Sequence, residues 1–476
     1  MNERALENFL SLTRIPRRSH HEEAVSRFLR DWAEEKGLAA IRDEVGNVII
    51  DKPASPGHEN APLAILQAHM DMVCVAEPGR EYDPLTDPIR VIRSEDTLTA
   101  DGTSLGGDDG AGVAVAMTIL EDKDAVHGPL RAIFTVDEED GMLGADSLAA
   151  EHLDGCYLIN LDWEEFGSLC CSSAGSDMYS LKRQASWEAA QGTAFALEIQ
   201  GLEGGHSGAQ IHLGRANAIR MAARILSAGE KVCPVQLAAF RGGSAHNAIP
   251  SSARCVAVVA EENASAFLEA IGQAIDTELE NCALTDPHGM ITAVETDRPE
   301  KALTIDMSAD ILAILTGIHD GVNTLSPSIP GLVESSANTG VAELGENDFS
   351  FLVHQRSSEP ARTAEMKRDF LAKAEAHGFS LEVLTSSPAW PVRPDSELVD
   401  ICARQYKALT GKEIRVEPVH AGLECGAFAS KNPGLDIISI GPTIVDIHSP
   451  KETLILSSVY GCEALVRGIL KEISEK

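Results

Sequence analysis

Five short stretches of this chain put histidine or acidic side chains just after apolar, strand-like runs, and that pattern restricts its folds more than any other feature. They are LAILQAHMDMV with His69 and Asp71, SLGGDDGAG with Asp108 and Asp109, IFTVDEEDG with Glu138 and Glu139, YLINLDWEE with Asp162, and VDIHSPKE with His448. In an α/β sheet the carboxyl ends of neighbouring strands open onto one crevice, so groups far apart in sequence converge there. Two imidazoles and several carboxylates form a mixed nitrogen and oxygen donor set suited to zinc, and the carboxylate excess suits two ions sharing a bridge. The pattern implies metal-assisted hydrolysis.

The surrounding sequence fits that arrangement. A strand near Leu63–Leu66, a helix over Ala111–Leu120, a strand near Ala132–Val136 and another over Tyr157–Leu161 alternate as parallel strands with helical crossovers do. After Ser172 the texture changes to strands interleaved with the amphipathic helices RANAIRMAARILSAG and FLEAIGQAIDTELE, ending on a late strand in DFSFLVHQRSS. The helical stretch DSELVDICARQYKALTG and the strand LDIISIG then return to the first texture. The expected organisation is a mostly parallel α/β catalytic domain over residues 1–175 and 389–476, split by an inserted α+β domain over residues 176–388. A length of 476 residues suits two such cores.

Composition excludes other classes. A net charge of -34, from 39 basic and 73 acidic residues, opposes binding to nucleic acid or to an anionic membrane surface, both of which need basic patches. No apolar run approaches the roughly 20 residues that span a bilayer. The N-terminal stretch MNERALENFLSLTRIPRRSHHEEAVSRFLRDWAEEKG alternates charged and apolar residues at helical spacing and lacks a signal-peptide core, so a cytoplasmic location is expected. Ten cysteines without a CxxC pair read as free thiols.

Each site residue also has a plain structural reading. His69 and Asp71 stand at i and i+2, on one side of an extended segment, where the carboxylate can orient the imidazole; the alternative is a core histidine beside a surface acid. Asp108 precedes a helix, where a carboxylate also serves as a simple cap. The run Asp137–Asp140 is an ordinary solvated turn unless the strand before it delivers the acids to a sheet edge. Recurrence of acids or histidine after strands across one chain favours a single site over separate accidents.

The ordered set H-x-D, G-x-D-D-G, E-E, an Asp after a strand and a late H-S-P-x-E resembles the M20 family of di-zinc aminopeptidases, dipeptidases and deacylases. Within it, QAHMDMVC, GGDDGAGVA and HAGLECG resemble the branch of bacterial aminoacyl-histidine dipeptidases. Many relatives carry a lysine after the paired aspartates, where this chain has Gly110. The resemblance implies that His69, Asp108, Glu139, Asp162 and His448 ligate two zinc ions bridged by Asp108, with manganese or cobalt as possible substitutes. It implies Glu138 as general base and Asp71 as the partner that orients His69. His206 in LEGGHSG corresponds to a histidine that stabilises the tetrahedral oxyanion, in some members across a homodimer formed by the inserted domain. Asn247 and Arg356 correspond to positions for substrate polar groups, Arg356 suiting a peptide carboxylate; His420 and Glu424 fall where relatives place a substrate loop. The implied activity is hydrolysis of dipeptides, with Xaa-His dipeptides as substrates, and the alternative within the same chemistry is an N-acyl-amino-acid deacylase.

Two other classes fit the sequence less well. Gly102–Gly106 fits the G-x-S-x-G pattern of serine hydrolases, but a polar stretch precedes it and Asp108 follows before any helix, so the strand-turn-helix context is missing. A metal-binding scaffold without chemistry is opposed by Glu138, because loss of function removes a base before its ligands.

Overall fold

The computed structural model describes residues 3–327, 329 and 331–476, and separates into two compact units. The first comprises Met1–Ser173, Trp390–Val419 and Leu423–Lys476; the second comprises Ala174–Ala389 and His420–Gly422.

The first unit is built on an eight-stranded sheet. In chain order its strands are β1 (Ala39–Arg42), β2 (Val48–Lys52), β3 (Ala64–His69), β4 (Leu130–Thr135), β5 (Tyr157–Asn160), β6 (Ser168–Ser173), β7 (Arg415–Val419) and β8 (Asp436–Ser439). Their spatial order is β1-β2-β4-β3-β5-β8-β6-β7, and the four central strands β4, β3, β5 and β8 run parallel. Every residue of β3 and β5 is buried, as expected of parallel strands covered on both faces. The helix Gly107–Glu121 is also buried from Gly107 to Leu120, which is why GAGVAVAMTIL shows no polar stripe. It packs with helices Arg4–Leu12 and Leu456–Ser474 into the main core. The register sets His69 level with Thr135 and Gln67 level with Asn160, so the loops after β3, β4 and β5 leave one edge of the sheet together.

The N-terminal stretch departs from its continuous helical spacing. Helices Arg4–Leu12 and Glu23–Glu35 are separated by a non-helical strap containing Pro16.

The second unit carries a nine-stranded sheet whose pairings are all antiparallel, from Met290–Thr296 at one edge to Ser380–Ser387 at the other. Helices Ala218–Glu230, Ala264–Cys282, Ile305–Gly317 and Pro360–Ala376 contribute to its separate core. Asn217 caps the first of these by accepting from the N–H groups of Ile219 and Arg220. Among the described residues no helix is long and apolar enough to cross a membrane.

Candidate metal centre and a cationic cluster

His69 ends β3 with its imidazole 1% exposed, and its Nε2 lies 3.1 Å from Asp108 Oδ1 and 3.3 Å from Asp162 Oδ1. The other oxygen of Asp108 lies 3.1 Å from His448 Nε2, which is also 2.9 Å from Glu139 Oε2. One carboxylate therefore faces two imidazoles with its two oxygens. The groups His69, Asp108, Asp162 and Asp108, Glu139, His448 each cluster closely enough to hold a metal ion, and Asp108 belongs to both. The neighbouring Asp109 turns inward instead, accepting from the N–H groups of Gly112 and His69.

His448 reaches the cluster by a different route from the others. It stands in the hairpin between the short strands Ile444–Val445 and Thr453–Ile455, outside the parallel sheet, rather than at a sheet edge as its sequence context suggested. Asp446 and His448 both have positive φ there, 54° and 56°, which non-glycine residues hold only when their surroundings enforce it.

Behind His69 sits Asp71, wholly buried. Its Oδ1 lies 3.2 Å from His69 Nδ1, an ion-pair separation although not aligned as a hydrogen bond. Its oxygens also accept from Ser19 Oγ at 2.8 Å and from the N–H groups of Glu138 and Glu139. The same carboxylate thus orients the imidazole and holds the loop bearing both glutamates.

Charge is distributed unevenly in this cluster. Burial pulls the His69 imidazole down, but Asp162, Asp108 and Asp71 outweigh it and hold it well above its ordinary value. Hydrogen bonds to Asp108 and Glu139 raise His448 to about 10. Burial pushes Asp108 up, and the two histidines overcome this and hold it well below the usual carboxylate range. Burial drives Glu138 and Asp162 well upward, with neighbouring carboxylates adding to the shift and His69 opposing it. The crevice gathers an excess of acid around two imidazoles, an arrangement that divalent cations would neutralise.

A second cluster lies within the second unit. His206 Nδ1 accepts from the N–H groups of Gly208 and Ala209, which leaves the proton of the neutral ring on Nε2. Arg356 is 7% exposed, its Nε has no hydrogen-bond partner, and burial alone lowers it to about 10, with no carboxylate countering. Its charge also lowers His206, His246, His354 and His420, after the larger effect of burial on each. His420 Nε2 pairs with Ser336 Oγ at 2.7 Å. Asn247 is exposed, and its carbonyl accepts from the N–H of Ser207 next to His206.

Glu424 lies apart from the substrate loop expected for it. It is fully buried in the first unit, where Oε2 accepts from Gln67 Nε2 at 2.6 Å and Thr135 Oγ1 at 2.9 Å. Its partners lie on β3 and β4 and hold one oxygen beneath the ligand loops, while Oε1 is buried without a partner; burial raises the carboxyl to about 7.

Residues 65–472 match the peptidase family M20/M25/M40, and the chain is 34% identical over 473 residues to the cytosol non-specific dipeptidase of Escherichia coli strain K12. The chain belongs to this M20 family.

That E. coli similarity spans 98% of this chain and 97% of the relative. The aminoacylhistidine dipeptidase of Vibrio alginolyticus is 32% identical and superposes with a TM-score of 0.91, over 99% of this chain and 96% of that one. A Staphylococcus aureus tripeptidase, 17% identical, shares the fold at a TM-score of 0.57 over 100% and 99% of the two chains. This M20 peptidase is thus a hydrolase of peptide bonds with the mixed α/β fold of its relatives.

Further residues stand out within the two clusters. Glu164, just past Asp162, is raised to about 7 by burial and by Asp108. His354 is buried with Nδ1 unpartnered, its ring centroid 5.5 Å from that of His246. Glu452, the final residue of H-S-P-x-E, accepts from four successive N–H groups, Leu105 to Asp108. Gly110 leaves room for Arg17: a Cβ there would lie 2.6 Å from its Nη2. Glu452 and Gly110 had a signal in the sequence, as parts of motifs already noted, whereas Arg17, Glu164 and His354 had none.

Proposed function

We propose that this chain is a metal-dependent dipeptidase that cleaves its substrate at the crevice around Asp108. The observation that carries this reading is the single buried carboxylate facing His69 with one oxygen and His448 with the other. The donor set fits a pair of divalent cations, with His69, Asp108 and Asp162 holding one and Asp108, Glu139 and His448 the other. Bound there, such ions would lower the pKa of a water and polarise the scissile carbonyl. Zinc suits the imidazole and carboxylate donors, and manganese or cobalt suit them as well.

The chain's own residues supply the remainder. Glu138 is half-buried beside His69 and Glu139, and burial raises its carboxyl; as a carboxylate it would accept a proton from the attacking water and return it to the leaving amine. Asp71 fixes both His69 and the Glu138–Glu139 loop, so the base and the ligands are oriented by one group. The Nε2–H of neutral His206 is a ready donor for a developing oxyanion, and Arg356 is a buried cation suited to a peptide carboxylate. Asn247 adds an exposed amide for a substrate polar group, and His420 lines the same cluster. A homodimer formed through the second unit and a location in the cytosol complete the reading.

Xaa-His dipeptides are the first substrates to try, because one relative is named for aminoacylhistidines; the other is named non-specific. The test is hydrolysis by zinc-loaded protein of Xaa-His dipeptides, other dipeptides and N-acetyl amino acids, with a chelated control. Chelator-sensitive cleavage of the dipeptides is expected. Cleavage of the acetyl compounds alone would assign a deacylase, and activity surviving chelation would overturn the metal mechanism.

A further inference from the structure

The strap between the first two helices lies before the family match, which begins at residue 65, yet it grips the loops of the crevice. Arg17 is 2% exposed, and its guanidinium pairs with backbone carbonyls alone: Nη1 donates to Met70 at 3.1 Å and to Asp71 at 2.8 Å, and Nη2 donates to Gly106. The first two carbonyls follow His69, and the third precedes Asp108. Arg18 forms a parallel bridge with Met72, Ser19 Oγ donates to Asp71, and Glu22 Oε1 accepts from the N–H of Asp137. All three loops that carry His69, Asp108 and Glu139 are tied to this strap or to residues it holds.

A buried guanidinium is a costly way to fill space, since apolar side chains of similar volume serve a core as well or better. What arginine offers is a rigid planar fork that can satisfy several acceptors at fixed separations. Here the fork spans two ligand loops. The far side of the Asp108 loop is held in the opposite sense, where the carboxylate of Glu452 accepts from Leu105 at 2.7 Å, Gly106 at 3.0 Å, Gly107 at 2.6 Å and Asp108 at 3.3 Å. The loop is therefore clamped by a cation on its carbonyl and an anion on its amides. Its glycines fit that clamp: a Cβ on Gly106 would strike Arg17 and Met72, and one on Gly110 would meet Arg17 and Phe9.

We infer that Arg17 is a positioning residue that sets the separation between the His69–Asp71 loop and the Asp108 loop, so that one carboxylate can serve both histidines. Arg17 touches no ligand side chain and acts through backbone. The inference rests on the metal-dependent reading above, and its test measures metal binding separately from turnover.

Zinc affinity of metal-free protein is measured by competition with a chromophoric chelator, beside kcat, KM and the unfolding temperature. Arg17→Met is expected to weaken the looser zinc and to lower kcat, each by about 10–100-fold, the range for residues that orient ligands. KM is expected to stay within about threefold, because the substrate contacts are elsewhere. The double variant Arg17→Ala with Gly110→Lys puts a cation back into the same space from the opposite wall, and is expected to recover at least about tenfold of the affinity lost in Arg17→Ala. A purely structural role would lower the unfolding temperature without this recovery.

Wild-type zinc affinity and kcat in Arg17→Met would overturn the inference, as would a double variant no better than Arg17→Ala. If Arg17→Met does not fold, Arg17→Lys and Glu452→Gln decide the matter: weakened zinc binding supports the clamp, and unchanged binding in both overturns it. Wild-type protein that binds zinc but cleaves no peptide would overturn the dipeptidase reading and leave the affinity comparison to judge Arg17 alone.

Discussion

The two buried polar clusters of this protein are opposites in charge. In the first unit, Asp71, Asp108, Glu138, Glu139 and Asp162 gather around two imidazoles, and Asp162, Asp108, Asp71 and Glu139 raise them. In the second, Arg356 is buried among four histidines that it helps to keep neutral, with no carboxylate acting on it. Buried charge is unfavourable without a partner, so the first cluster is prepared for cations and the second for an anion. In the proposed reaction a dipeptide would bring the carboxylate, and divalent ions the positive charge. Neither cluster has the composition of an ordinary core.

The largest expected effect separates the chemistry of the acidic cluster from its metal binding. Glu138→Gln should lower kcat by about 10²–10⁴-fold while metal content, measured by atomic emission, stays at the wild-type level. Metal lost in parallel would make Glu138 a ligand rather than a base. Next comes the basic cluster: His206→Ala should lower kcat by about 10²–10³-fold, the loss typical of one oxyanion donor, with metal again retained. Unchanged turnover would remove His206 from the reaction.

Glu424 tests whether the acidic cluster costs stability. Its carboxyl is raised from 4.5 to about 7, so below about pH 4.5 both folded and unfolded chains hold the proton and its burial costs nothing. As pH rises to 7 the unfolded chain releases that proton first, stability falls, and the cost is complete above 7. At about 1.4 kcal/mol per pKa unit, Glu424→Gln should stabilise the metal-free protein by up to about 3 kcal/mol at pH 8 and by nothing at pH 4. Denaturant unfolding at both pH values measures this, and an equal effect at both would remove the charge from the explanation. The smallest effect concerns the anion. Arg356→Met should raise KM for free dipeptides by about 10–100-fold, as loss of a charge-assisted hydrogen bond does, and leave C-terminally amidated dipeptides unaffected. Equal losses for both would place the substrate carboxylate elsewhere.

The strands were the most legible part of the chain. Short apolar runs alternating with a helical pattern identify β3, β4 and β5 as parallel neighbours, and acids after such runs must share an edge. Spacing could not separate Asp108 from Asp109; only the folded loop shows one facing the histidines and the other turned to backbone. Arg17 was invisible because its acceptors are carbonyls 53 to 89 residues away, and a side chain bonded to backbone leaves no mark on the identity of its partner. Glu424 misled for a related reason. The Gly-rich look of HAGLECG suggests an open loop, but the helix Cys425–Lys431 starts at once and carries the glutamate beneath the sheet edge. His448 shows a third limit, since a two-residue strand in a small hairpin looks locally like the end of a longer one.

The proposed function requires Asp108 to serve two metal sites. Anomalous scattering at the zinc edge, from crystals of zinc-loaded protein, tests it most directly. A pair of peaks is expected, one among His69, Asp108 and Asp162 and the other among Asp108, Glu139 and His448. A single peak, or peaks that leave Asp108 out of either group, would contradict the account.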